Sequence, residues 1–427
     1  MKFILIHINL LFIVLFASAQ TRDLNYYLEQ AKTNSPLINK ANNNNQLIQL
    51  DMQKVKSILN KPIINVEANV LFSPIISHDN NNNQFQWVSD GANSYTGYDL
   101  SYSDGGQYQA FVSIKQPLFL GKTYQSYNEQ ADIQTSLNEN NIKLTQHELE
   151  QLVSQQYILC EMAKQQSKIS KSLLDKLNEQ VLIMQKLVKN AIYKQTDLML
   201  LQIETENFRI EYEKHLSEYK LNLSDINLLC GISDTSIVDI KNINFEISPD
   251  TIVQSNFLNK YRLDSLNILA QQNLFNQKYR PQLSLFANAG LNAIYQPSID
   301  RFGFATGINF TWNIFDGNQK KIQNQKSLIE LKTIEFEKQN FVNQHNTNKE
   351  KYLNQINIID KQINITENQL IEYQKLIKLY KFELLQAQIS IMDYKNIIRD
   401  ISAKKQENLR LQMQKQILIN SYNYWNF

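Results

Sequence analysis

Two stretches of this chain carry neither glycine nor proline: 109 residues between Gly121 and Gly231, and 110 residues after Gly317. Both are polar and rich in Gln, Lys, Glu and Leu, a composition that favours helix where breakers are absent. Within the first, Leu198, Leu201, Thr205, Phe208, Tyr212, Leu216, Tyr219, Leu223, Ile226 and Cys230 follow one another in steps of three and four. That spacing makes a narrow coiled-coil seam, so these side chains are packing rather than a ligand box. One straight helix of this length would run ~160 Å at 1.5 Å per residue. A hairpin is expected instead, folding back near Ala191–Asp197 and, in the second stretch, near Ala387–Asp393. Each descending arm then has ~70 residues and spans roughly 105 Å. That exceeds a bilayer several times over, so the arms stand in water.

Elsewhere the period drops to two, and four strands are expected at about 62–72, 107–119, 281–291 and 303–315. Ile64, Val66, Ala68, Val70 and Phe72 alternate with Asn65, Glu67 and Asn69. Tyr108, Ala110, Val112 and Ile114 alternate with Gln107, Gln109, Ser113 and Lys115. The third strand sets Leu283, Leu285, Ala287, Ala289 and Leu291 against Gln282, Ser284, Asn288 and Gly290. The fourth sets Phe304, Thr306, Ile308, Phe310, Trp312 and Ile314 against Gly303, Ala305, Gly307, Asn309 and Asn313. Alternation by itself fits a membrane barrel or a soluble sandwich. Polar residues suited to a wet lumen, and aromatics such as Tyr108, Trp312 and Phe315 suited to interfacial girdles, favour the barrel. Four strands cannot close one, since membrane barrels start at about eight, so the chain is expected to oligomerise. The first strand pair encloses a longer connection, roughly Ser73 to Gly106, which holds Asp79, Asp90, Asp99 and Asp104 but no Lys or Arg. It reads as a solvated surface loop, with an external receptor or ion-binding loop as the alternative.

Composition narrows the rest. A formal net charge of +2 over 427 residues, with basic residues scattered along the chain, gives no electrostatic case for nucleic acid. The asparagine runs Asn42–Asn45 and Asn80–Asn83 read as compositional bias. Residues 1–19 form a signal peptide: Lys2, an apolar core from Phe3 to Phe16, and Ala17-Ser18-Ala19 before Gln20. No later apolar run reaches spanning length, so any crossing of a membrane falls to strands. Cys160 and Cys230 form no framework, and Cys230, on the seam, reads as a buried thiol. The five histidines show no metal-ligand spacing, and no nucleophile–base signature or phosphate-binding glycine loop is present. Neither enzyme activity nor a cofactor or metal is expected.

The chain is an internal duplication. Pro117-Leu118-Phe119-Leu120-Gly121 aligns with Asn313-Ile314-Phe315-Asp316-Gly317 at an offset of 196, and Thr196-Asp197 aligns with Met392-Asp393 at the same offset. Phe119, Gly121, Phe315 and Gly317 mark the strand-to-helix junctions. Equal arms that start from one sheet must end at one depth, as a tube wall requires. The expected organisation is a first repeat at 20–230, an inter-repeat equatorial segment at 231–260 and a second repeat at 261–427.

This order of helix, Pro-led strand, strand, F-x-G turn and long hairpin, made twice, resembles the TolC family of outer-membrane efflux proteins. The matching stretches include NSPLINKANNNNQLIQL (34–50), KPIINVEANV (61–70), DLMLLQIETENFRIEYEKHL (197–216), LLCGI (228–232), KYRPQLSLFANAG (278–290) and WNIFDGNQ (312–319). The resemblance implies a mainly α fold with a β-barrel contribution, in which three chains form a twelve-stranded barrel continued by an α-helical tunnel. It also implies the outer membrane of a Gram-negative cell, with a helical extension in the periplasm. The implied partners are two further copies, a periplasmic adaptor, an inner-membrane pump and outer-membrane lipid. Asp393 matches the family's entrance aspartate, and Asp197 is its counterpart in the first repeat; the alternative reading of each is a helix N-cap at the tip. A ring of three Asp393 carboxylates would favour cations. The chain departs from the family where Asn396 replaces a second entrance aspartate, and where Ala191 and Ala387 replace glycine at the hairpin tips. The function implied is a passive exit duct of an efflux or type I secretion system. The alternative, a periplasmic coiled-coil adaptor without a channel, explains the signal peptide and heptads but not the duplicated strand–hairpin unit.

Overall fold

The computed structural model describes residues 21–73, 75–79, 82–86, 95–96, 105–249, 255–294 and 302–427. The expected signal peptide at 1–19, and the acidic residues Asp90, Asp99 and Asp104, lie outside these described residues. Helices α1 (Leu24–Asn34) and α2 (Pro36–Asn60) precede strand β1 (Ile63–Ser73). Three short strands follow, β2 (Ile75–Asp79), β3 (Asn82–Gln86) and β4 (Tyr95–Thr96), then β5 (Gly105–Leu118). The first long hairpin is α3 (Gly121–Lys189) and α4 (Gln195–Leu229). After α5 (Asn256–Asn276) come β6 (Gln282–Ile294), β7 (Phe302–Thr311) and the second hairpin, α6 (Gln319–Leu385) with α7 (Ile391–Tyr424). Among the described residues, no helix is long and apolar enough to cross a membrane.

The chain divides into two compact units. One comprises residues 1–41, 141–259 and 339–427; the other comprises 42–140 and 260–338.

In the second unit, β1, β5, β6 and β7 form one antiparallel sheet in the order β1-β5-β6-β7. Its register pairs apolar with apolar: Val66 faces Val112, Val112 faces Ala289, and Ala289 faces Phe304. Because paired residues of an antiparallel ladder share a face, one face is almost wholly apolar. The opposite face carries Asn65, Glu67, Ser113 and Asn288 in register, and Ser113 Oγ donates to Glu67 at 2.5 Å. Phe111 and Phe286, which the expected alternation left unassigned, also lie on this polar face. Phe286 covers Gly307, where an added Cβ would sit 2.7 Å from its ring. The fourth strand ends at Thr311, short of the expected 315. Its ladder partner β6 begins at Gln282, paired with Thr311, and the preceding Pro281 has no N–H to extend the ladder. Part of the stretch read as a surface loop is regular: β3, β2 and β4 make a separate three-stranded sheet. The asparagine run also has a structural use, since Asn44 and Asn45 exchange hydrogen bonds with the buried Asn138 of α3.

The first unit is a helical body with a conventional core. Tyr27, Tyr157, Cys160, Tyr219, Ile226 and Cys230 share one buried cluster. Both cysteines are free, and burial pushes each thiol up to about 12. Eight of the ten seam residues are buried; Tyr212 and Leu216 are partly so. The inter-repeat segment runs through this unit as an extended strap whose backbone is bound by helix side chains. Tyr219 and Tyr157 donate to the carbonyls of Val238 and Lys241 at 2.7 and 2.6 Å. Glu161 and Gln416 accept from the amides of Ile243 and Phe245 at 2.8 and 2.5 Å. These bonds satisfy polar groups of a chain that has almost no sheet to join.

Candidate functional site

The hairpin tips of the first unit hold the residues singled out for an entrance. Each descending helix ends in the same turn. The amide of Ala191 donates to Val188 O and that of Ile192 to Leu187 O, both at 2.9 Å. The amide of Ala387 donates to Leu384 O at 3.1 Å and that of Gln388 to Glu383 O at 2.9 Å. These are Schellman motifs, which place the residue after the helix in the left-handed region. Ala191 and Ala387 accordingly have φ of 58° and 56°. An alanine there bears a steric cost that glycine would not. The end of α4 makes the same motif with glycine, at Gly231 with φ of 64°.

The returning helices open with the two aspartates. Asp393 Oδ2 accepts from Ser390 N at 3.3 Å and from Ser390 Oγ at 2.6 Å, while Ser390 Oγ accepts from Asp393 N at 3.2 Å. This is a reciprocal capping box. In the first hairpin Asp197 Oδ2 accepts from Lys194 N at 3.0 Å. Both carboxylates therefore sit at helix N-termini, where the backbone dipole favours negative charge. Asp393 and Asn396 are exposed, and Asp197 is half-buried.

The two tips pack together. Leu177, Met184, Leu201 and Phe208 of the first hairpin share a cluster with Leu384, Ile391, Tyr394 and Ile398 of the second. The Tyr193 hydroxyl bridges them, 2.8 Å from Leu384 O and 3.0 Å from Ile389 O. Its pKa is raised by burial and by Asp197. Below the tips, Glu204 of α4 is 2 % exposed and receives Arg399 of α7 on both oxygens, at 2.5 and 2.6 Å, with Lys395 at 4.0 Å. The Glu204 carboxylate raises the Arg399 pKa. This ion pair joins the hairpins, and sequence patterning missed it. Glu204 adjoins a seam position, but only the packing of α4 on α7 identifies its partner.

The junctions belong to the second unit and are not copies of one turn. Phe119 takes φ of 58° and α3 starts at Gly121; in the second repeat Gly317 and Asn318 take φ of 66° and 68°, and α6 starts at Gln319. The second turn is tied by Asp316, which accepts from the Tyr279 hydroxyl and from Lys320 N at 2.8 Å. Leu120 in the first repeat has no carboxylate to do this.

The dominant feature of the second unit is exposure. Val66, Val70, Phe304, Ile308 and Phe310 on the apolar sheet face lie open, Val66 by 82 % and Phe304 by 84 %. Among the described residues, the edges β1 and β7 have no strand paired to their outer sides. Among the described residues no group of His, Cys, Asp and Glu could hold a metal.

No protein-family model matches the sequence, and no curated relative does. The fold nevertheless matches solved outer-membrane channels. The chain superposes on CusC, described for its transmembrane channel formation, with a TM-score of 0.68 at 14 % identity, covering 94 % of this chain and 91 % of that one. On the CmeC outer membrane channel of Campylobacter jejuni the TM-score is 0.66 at 12 % identity, covering 94 % and 85 %. On the outer membrane protein VceC of Vibrio cholerae it is 0.67 at 12 % identity, covering 94 % and 95 %. The fold is that of the TolC-like channels.

Proposed function

We propose that this chain is the outer-membrane channel of a tripartite efflux or type I secretion system, a passive duct energised by its partners. The observation that carries this reading is the four-stranded sheet with an open apolar face and two bare edges. In water such a face is a large unfavourable patch, and bare edges invite pairing. In lipid the same face is solvated and only the edges need partners. Strand direction alternates along β1-β5-β6-β7, so β1 and β7 run opposite ways. A β1 edge can therefore accept a neighbour's β7 in an antiparallel ladder, a head-to-tail contact that closes into a ring. Three copies, the number the family resemblance supplies, give a twelve-stranded barrel.

The repeat scheme of 20–230, 231–260 and 261–427 places one sheet half and one hairpin in each repeat. The hairpins form the periplasmic tunnel, docked through an adaptor to an inner-membrane pump. Asp393, with Asp197 as its counterpart, lines the entrance while also capping α7. The test is conductance in planar bilayers. Purified protein requires detergent, runs as a heat-modifiable trimer on gels and forms channels. Asp393→Asn keeps an acceptor for Ser390 but removes the charge, so cation selectivity falls. A soluble monomer in plain buffer would end the channel reading, and unchanged selectivity would end the role of Asp393.

A further inference from the structure

Basic residues that look scattered along the chain converge at one end of the sheet. The register puts the start of β1, the end of β5, the start of β6 and the end of β7 together, through the pairs Ile63–Lys115, Leu118–Leu283 and Gln282–Thr311. Every passage of the chain through this foot carries positive charge. Lys61 leads into β1, Lys122 lies in the first turn of α3, Arg280 leads into β6, and Lys320 and Lys321 open α6. All five are exposed and none forms an ion pair among the described residues, although Lys320 Nζ lies 5.2 Å from the Tyr279 ring. Lys115 is a sixth cation here, but its register places it on the polar face. Lys278 is a seventh, its Nζ 5.1 Å from the Phe275 ring. Asp316 is the one acid in these junctions, and it is engaged by Tyr279 and Lys320 N.

The same foot holds the most exposed large apolar side chains of the junctions. Phe119 is 89 % exposed, Phe315 83 % and Ile314 81 %, with Trp312 beside them. Phe119 is held at φ of 58°, a strained conformation for a bulky residue, and projects its ring away from the protein. By period, Trp312 and Ile314 follow Phe310 of the apolar sheet face.

We infer that the foot of the sheet is a docking belt for anionic phospholipid headgroups. The aromatic and aliphatic side chains sit at the acyl boundary, and Lys61, Lys122, Arg280, Lys320 and Lys321 engage lipid phosphate. This inference rests on the membrane-channel reading and adds a lipid class to it. The cations lie where a headgroup layer begins, next to residues that prefer the interface. Charge complementarity selects anionic over zwitterionic lipid.

Protein reconstituted in nanodiscs of phosphatidylcholine mixed with phosphatidylglycerol tests this, with co-purified lipid counted by mass spectrometry. Phosphatidylglycerol is expected to be enriched at least about threefold over the bulk mixture. Replacing Lys122, Arg280, Lys320 and Lys321 together by Gln should bring the ratio to parity, while Arg at the lysines and Lys at Arg280 should preserve it. No enrichment, or enrichment that survives the Gln variant, overturns the belt while leaving the channel intact. Displacement by inorganic phosphate beyond that of chloride at equal ionic strength would mark a free-anion site and overturn it also. Protein that never enters the discs refutes the channel and the belt together.

Discussion

The sheet of one unit and the hairpin tips of the other use the same kinds of residue in opposite ways. At the tips Leu201 is fully buried and Leu198, Phe208 and Ile391 nearly so, inside a cluster with partly buried hydrophobic side chains packed around it. In the sheet Val66, Phe304 and Ile308 point outward while Asn65, Glu67 and Ser113 share the other face. An apolar residue is placed by the solvent it meets, so on the proposed channel reading this inversion within one chain marks a change of medium.

That contrast can be broken by substitution. Leu201→Ala should destabilise the tips by about 2–5 kcal/mol, because a filled site becomes a cavity; denaturant unfolding of the helical signal measures it. Val66→Lys should cost the assembled barrel about 2–4 kcal/mol if that face meets hydrocarbon, and almost nothing if it meets water. Heat-modifiability on gels reads this directly, and a silent Val66→Lys would remove the membrane face. Arg399→Ala should cost about 3 kcal/mol, since it strands a buried carboxylate with only the distant Lys395. Glu204→Gln should cost less, because the half-exposed Arg399 can turn to water. Equal costs would show that burial of Glu204 is not what matters.

Ala191→Gly and Ala387→Gly should each stabilise the hairpins by about 0.5–1 kcal/mol by relieving left-handed alanine. A lowered melting temperature would contradict the turn geometry. The smallest effect concerns acid. His147 and Lys32 hold the Glu150 carboxyl down at about 2, from an ordinary 4.5. A lowered carboxylate pKa contributes stability above its ordinary value and loses it as pH falls toward the folded one. Stability should therefore decline between about pH 4.5 and 2, and Glu150→Gln should flatten part of that decline.

Most of the architecture was legible in order and spacing. The breaker-free stretches became α3–α4 and α6–α7, and both fold-backs fell at the expected alanines. The alternating runs became β1, β5, β6 and β7, with ends displaced where proline or a turn cut the ladder. Both aspartates fall in the first turn of a returning helix and cap it, as the alternative reading of the sequence held. Glu204 with Arg399, and the strap held by Tyr157, Glu161 and Gln416, were illegible because their partners are distant in sequence.

By itself the sequence determined whatever depends on neighbours a few residues apart: helices where breakers are missing, strands where polarity alternates, and a duplication at a constant offset. Only the tertiary structure decided which face of the sheet lies open, which charges meet across hairpins, and where scattered lysines gather. Those outcomes depend on strand order and helix packing, which bring together residues that no local period relates.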